Sequence, residues 1–193
     1  MIKQIFRRIY DLLFYPQPTW EKIRTENIDG NKLRREFYLP LILMVIVCAV
    51  LGSIGSFLQE VHVDFVTLFL RCMQDVVVFF SAYFLGFFVM SLFLNELLAS
   101  HFFNIERNLQ KCFTFFAYSS VLMWCIKALV LLFPNLIFLY LLNFYAFYLV
   151  WTGGIVLFDK LKGDQTVRFT LIATVLLYFI PMGIEWVMLK LIS

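Results

Sequence analysis

Residues Arg34 to Leu58 read RREFYLPLILMVIVCAVLGSIGSFL. After Glu36 the stretch carries no further charge. A helix needs about 20 apolar residues to cross a hydrocarbon core of about 30 Å, and this segment supplies them. Helix is the form it takes in lipid, because each backbone N–H and C=O must find its partner inside the segment. The rest of the chain asks for the same solvent. Of its 193 residues, 62% are apolar and 15% charged, against about 45–50% and about 25% in soluble domains. Phe alone contributes 24 residues. One globular core of this size cannot hide so much apolar surface.

Four further apolar runs follow. Together they predict spans at about 38–58, 74–98, 112–133, 136–158 and 167–189. The second has an earlier possible start, since residues 65–70 are apolar as well. Pro134-Asn135 separates the third and fourth so tightly that they must form an antiparallel hairpin. The expected fold class is all-α: a polytopic membrane helical bundle of five transmembrane helices with an amphipathic interfacial N-terminal helix. Two parts are expected, a cytoplasmic interfacial segment at 1–37 and a five-helix transmembrane domain at 38–193.

Lys and Arg set the orientation. Eight lie in the tail, two in the loop at Arg107 and Lys111, and three at Lys160, Lys162 and Arg168. Only Arg71, Lys127 and Lys190 remain for the other side, so the ratio is 13 to 3. The expectation is a multi-pass protein of the cell inner (plasma) membrane, N-terminus cytoplasmic and C-terminus outside. The first 37 residues contain no uninterrupted apolar core of a cleavable signal, so insertion rests on the first span.

The tail has its own pattern. In MIKQIFRRIYDLLFYP, Ile2, Ile5, Phe6, Ile9, Leu12 and Leu13 share one helical face. Lys3, Arg7, Arg8 and Asp11 lie mostly on the other. Such a helix suits the membrane interface, with Arg7 and Arg8 toward anionic headgroups. It also suits packing on the protein's own loops, and the two readings are compatible. Pro16 stops it. Pro18 and Thr19 open a second short helix that would bring Trp20 and Ile23 to the headgroup region.

The tail segment FYPQPTWEKI at Phe14–Ile23, five spans, and the aromatic–serine segment FAYSSVLMW at Phe116–Trp124 together resemble the Yip1 family in its bacterial branch. The family's Gly-Tyr-x-x-x-Pro motif would fall on Ala117, Tyr118 and Leu122, where its Gly and Pro are absent. Its acidic tail motif is loosely echoed by DLLFYP at Asp11–Pro16. The resemblance implies a five-helix integral membrane protein. In eukaryotes such proteins bind small GTPases and shape or sort membranes.

Ionisable residues inside spans mark candidate sites. Lys127 sits in VLMWCIKALVLLF and Glu185 in PMGIEWVMLK, both in the expected outer half. Arg71 and Asp75 lie near the same level, four residues apart, and also suit each other as partners. These four form a candidate intramembrane polar cluster. It reads either as a pocket for a lipid headgroup or small anion, or as an ion-pair set that locks helices together. Lys127 also has the option of snorkelling to the interface. At the inner face, Asn95, Glu96, His101, Glu106, Arg107, Asp159 and Lys160 suit loop solvation and capping, or a protein partner. Gly52, Ser53, Gly55 and Ser56, and again Gly153 and Gly154, are small enough for close helix approach. Gly183 beside Pro181 offers the same, and Pro181 is expected to kink the last span beside Glu185.

Enzyme chemistry lacks its signatures. No HExxH, GxSxG or Gly-rich phosphate loop occurs. His62 and His101 fall on opposite sides and cannot share a metal or haem. Ser119 and Ser120 have no histidine at their depth. Cys48, Cys72, Cys112 and Cys125 lack metal spacing and read as packing residues. The expected reading is a non-enzymatic protein of Yip1 type, without cofactor or metal, acting in membrane organisation or trafficking. Membrane lipids are the expected partners, with a cytoplasmic protein partner and a homo-oligomer as candidates and no nucleic acid. The alternative is a carrier or binder of a lipid headgroup or small anion around Lys127 and Glu185.

Overall fold

A computed structural model describes residues 2–26, 28–58, 64–100, 103, 105–159, 161 and 163–192. His62, His101, Lys160 and Lys162 lie outside the described residues. Helices α1 (Ile2–Phe14) and α2 (Pro16–Glu26) precede five long apolar ones. These are α3 (Gly30–Phe57), α4 (Phe65–Ala99), α5 (Leu109–Leu132), α6 (Pro134–Leu157) and α7 (Asp164–Ile192), each long and apolar enough to cross a membrane. The chain is a multi-pass, all-helical membrane protein, with no strand among the described residues.

The spans are longer than the apolar runs suggested. The α3 helix is under way at Gly30 and passes Arg34–Tyr38 as a π-helical turn. Arg34 is accommodated there because its guanidinium lies over the rings of Phe88 (5.3 Å) and Phe113 (5.8 Å). The early start of the second span is the one observed. Asp64 caps α4, its carboxylate accepting from the Thr67 N–H at 3.0 Å. Thr67 thereby holds the Asp64 carboxyl below its ordinary range. The helix then runs 35 residues, about 52 Å at the usual rise, well beyond one hydrocarbon thickness. Sequence hydropathy marked only the part that lipid dissolves.

The α6 helix is mixed. Pro134–Asn143 is 3₁₀-helical, with Leu136 off the helical region (φ −86°, ψ 23°), and Phe144–Leu157 is α-helical. A 3₁₀ run of that length is uncommon, because its hydrogen bonds are poorer. Pro181 lies within α7, where it can donate no backbone bond.

Packing is led by α4 on α7, with α3 against α4 and α5, and α2 against α6. The buried centre is aromatic. Tyr38 stacks on Phe87 (3.9 Å) and meets Trp124 (4.6 Å), and its hydroxyl donates to the Tyr83 carbonyl at 3.0 Å. Phe115, Phe158 and Phe169 form a second cluster nearer the tail. Glycines let these surfaces meet. A Cβ on Gly52 would lie 2.1 Å from the Leu131 carbonyl oxygen, so α3 and α5 are in backbone contact there. Gly154 lies under the Phe169 ring and Gly153 under Trp20. Gly55 and Gly183 meet nothing within 4 Å, so the close approach expected there does not occur. Gly86, which the sequence pattern does not single out, faces Pro181, and a Cβ added there would meet the proline ring at 3.4 Å, an ordinary contact.

The tail is a helical hairpin. Asp11 and Tyr15 carbonyls accept from the Thr19 hydroxyl, and Arg8 meets Glu26, so α1 and α2 run antiparallel. The hairpin stands along α6. From tip to base, the Leu13 carbonyl accepts from the Tyr145 hydroxyl (2.8 Å), Trp20 covers Gly153, and Arg24 bonds Asp159 (2.6 Å). Trp20 is fully buried between Phe115 and Tyr118 and faces protein, not headgroups.

Gly52→Ala should lower stability by about 1–3 kcal/mol, because the new methyl strikes backbone that cannot swing aside. Gly55→Ala should be neutral or stabilising by up to about 1 kcal/mol. Unfolding of both variants in one detergent checks the contrast.

Candidate functional site

The end of the bundle away from the tail holds a cavity of about 440 Å³ between α4, α5, α6 and α7. Each helix contributes a polar group: Tyr83, Lys127, Tyr140 with Asn143, and Tyr178 with Glu185. Met123, Pro181, Met182, Trp186 and Leu189 complete the wall. The cavity lies where α6 is 3₁₀-helical and α7 contains its proline. Two irregular helices facing one another leave space that regular ones would fill.

Lys127 Nζ lies 3.1 Å and 3.4 Å from the two carboxylate oxygens of Glu185. The ammonium also sits 5.2 Å from the centre of the Phe79 ring, whose face attracts cations. Both side chains are about three-quarters buried, at 22% and 24% exposure. The pair is held in place yet borders open volume. Tyr178 donates to the Asn143 carbonyl at 3.5 Å, a long contact, while the buried Asn143 amide oxygen accepts no hydrogen bond among the described residues.

The structure divides the four-residue cluster expected from sequence. Lys127 and Glu185 belong to the cavity. Asp75 instead accepts a short hydrogen bond from Ser53 and joins α4 to α3. Arg71 and Asp75 are not among the cavity's lining residues. Three lining tyrosines and Asn143 escaped the sequence reading, which searched the spans for formal charge alone. Tyr140 and Asn143 one helical turn apart, at the depth of Lys127, were the available signal.

A second cavity of about 400 Å³ opens at the tail end, between the hairpin and α3. Arg8 crosses it to Glu26 (2.5 Å) and lies over the Tyr118 ring at 5.7 Å. Arg8 thus clasps the hairpin to α5, while Arg7 is exposed. Of the loop group, Glu96 pairs with Arg107 (2.8 Å) and Asp159 with Arg24. The Asn95 amide oxygen is buried without a hydrogen-bond partner among the described residues. No group of three potential metal-binding side chains occurs among the described residues.

A family model for the Yip1 domain matches residues 10–184, which takes in the last five residues of the hairpin's first helix, its second helix and nearly all of the five spans. The chain belongs to the Yip1 family. No curated protein and no solved structure matches it. The Yip1 match covers the Arg24–Asp159 contact, the Trp20 seat on Gly153 and Lys127, and it ends one residue before Glu185.

Lys127→Met should destabilise the protein by about 3–5 kcal/mol, because it leaves Glu185 charged and unpaired in a poorly solvated site. Lys127→Met combined with Glu185→Met should recover most of that loss, since two thioethers fill the volume without a stranded charge. Thermal unfolding of the three proteins in one detergent measures both effects.

Proposed function

We propose that this Yip1 protein is a non-enzymatic membrane organiser that acts by seating its helical hairpin as a wedge in the cytoplasmic leaflet of the inner membrane. The observation that carries this is the gradient along α1. Its outward arc bears Phe14, Tyr10 and Phe6 from tip to base, with Arg7 and Lys3 toward the base. Phe14 is 65% exposed and the adjoining Tyr15 59%. The Tyr10 and Phe14 rings lie 4.5 Å apart, tilted at 33°, so the tip presents a contiguous aromatic surface. Apolar rings deep and cations shallow is the order in which an interface presents acyl chain and phosphate.

The neighbouring span supports the depth. Beside the hairpin, α6 carries exposed Tyr145, Tyr148 and Trp151. These rings lie around the middle of that span, so a hairpin that reaches them extends to acyl-chain depth. The hairpin tip reaches the Tyr145 end of this belt through the Leu13–Tyr145 bond. The excess of Lys and Arg in the tail and adjoining loops supports a cytoplasmic location for this end. A wedge there widens one leaflet relative to the other, which is a mechanical route to shaping a membrane. The exposed pairs Glu96–Arg107 and Arg24–Asp159 at the same end give a protein partner a polar surface.

Depth quenching tests the wedge. The four cysteines are replaced by Ala, a fluorophore is attached at Phe14→Cys or Phe6→Cys, and the full chain is reconstituted with brominated lipids. Phe14→Cys should be quenched by bromine deeper in the acyl chain than Phe6→Cys, and Lys3→Glu with Arg7→Glu should weaken both signals in anionic bilayers. Equal shallow quenching at both positions refutes the wedge. Quenching by aqueous iodide alone refutes lipid contact altogether.

A further inference from the structure

We infer that the Lys127–Glu185 cavity is a binding site for the headgroup of a zwitterionic lipid with a primary ammonium, a phosphatidylethanolamine, drawn from the leaflet opposite the hairpin. The inference stands on the cavity and not on the hairpin wedge.

Charge decides the class of ligand. Lys127 and Glu185 cancel, so the cavity has no net charge to offer. A bare anion entering it would carry an uncompensated charge into a medium of low polarity, at large cost. A ligand with one charge of each sign brings none in excess. The Lys127 ammonium has more donors than Glu185 occupies, and the carboxylate more lone pairs than Lys127 occupies. A phosphate can therefore lie against Lys127 while an ammonium lies against Glu185, giving four charges of alternating sign. Both protein groups keep the contact they already have.

The unsatisfied groups narrow the class further. The buried Asn143 amide oxygen needs a donor, and none is supplied among the described residues. A primary ammonium carries N–H donors for Asn143 and Glu185 together. A quaternary ammonium has none: it would keep its charge attraction to Glu185 and to the tyrosine faces but leave Asn143 without a donor. The Tyr140 hydroxyl, which makes no hydrogen bond among the described residues, is free to donate to phosphate.

The lining also identifies the source. The cavity residues on the outer side of α7 are Met182, 68% exposed, Trp186, 58% exposed, and Leu189, 41% exposed. A site for a soluble zwitterion would not need an apolar mouth on a membrane-spanning helix. This mouth lets acyl chains remain in hydrocarbon while the headgroup turns inward. The volume of about 440 Å³ falls in the range of small-molecule sites, about 300–1,000 Å³.

The test uses the full chain, delipidated in detergent, with thermal unfolding followed against added lipid. Phosphatidylethanolamine, phosphatidylcholine and phosphatidylglycerol carry the same acyl chains, and soluble glycerophosphoethanolamine is run beside them. The wild type should be half-saturated by phosphatidylethanolamine at a concentration about tenfold below that of the other two lipids, as expected for charge-assisted hydrogen bonds they cannot make. The soluble headgroup should give no shift at matched concentration. The preference should vanish when Lys127→Met and Glu185→Met are combined. Asn143→Leu guards against misfolding of that variant: it removes an acceptor without a partner, so lipid-free stability should hold while the preference narrows. A preference that survives unchanged in either variant overturns the proposal, and so does phosphatidylglycerol as the strongest ligand. An equal shift from the soluble headgroup overturns the lipid source.

Discussion

Helices already dissolved in hydrocarbon gain little by hiding apolar surface from one another, so their association has to come from fit. In this chain fit means rings seated on bare backbone. Trp20 rests on Gly153, Phe169 on Gly154 and Pro181 on Gly86, while Gly52 brings α3 against the Leu131 carbonyl. Each seat admits one neighbour and excludes others, because a ring cannot be shifted by part of its width. The arrangement of the spans follows from these few places more than from the apolar residues that cover them. The hairpin uses one such seat, at Trp20 on Gly153, beside the apolar side chains of Ile5, Ile9, Leu12 and Ile23 that it buries in the same core. The Arg24–Asp159 pair that also joins it to the bundle has exposed partners and is correspondingly weak.

The same constraint explains where the polar groups lie. A hydroxyl or carboxylate in a span must find a partner within the protein. Thr114, Thr152 and Thr170 find theirs in the backbone one turn earlier. Asp75 finds Ser53 across a helix interface, and Tyr38 finds the Tyr83 carbonyl. Around Lys127 the accounting is left open. The ion pair is satisfied, but Asn143 is not, and the space beside them is not filled. A purely structural pair has no need of such a margin. Between the 3₁₀ segment of α6 and the proline of α7, packing on rings and glycines gives way to open volume beside an ion pair.

Much of this architecture was readable from sequence because lipid imposes a simple rule on span length and charge. Five apolar runs, the Pro134 break and the amphipathic period of α1 each carry their meaning locally. The Yip1 layout was visible for the same reason. What could not be read was which side chain faces which helix. Trp20 looked like an interfacial anchor, since tryptophan collects at headgroups, and only the glycine waiting at 153 makes it a core residue. Arg7 and Arg8 are neighbours in sequence, yet one is exposed and the other clasps Glu26 beneath the Tyr118 hydroxyl. Arg71 and Asp75 share a depth with Lys127, but depth is one coordinate, and rotation about the helix axis turns Asp75 toward Ser53.

Hairpin and cavity meet on α6 within three residues. Tyr145 donates to the Leu13 carbonyl at the hairpin tip, and the Asn143 carbonyl accepts from Tyr178 in the wall of the cavity. Between them the helix changes from 3₁₀ to α. A 3₁₀ turn is longer per residue than an α turn, so one residue converted at this junction shifts everything beyond it along the axis. Asn143 therefore sits where the position of the hairpin and the shape of the cavity are set by the same few backbone bonds. Neither Pro134, which allows the irregular start, nor Gly153, which fixes the hairpin, lies at that junction. They bound the segment in which the change of helix type lies.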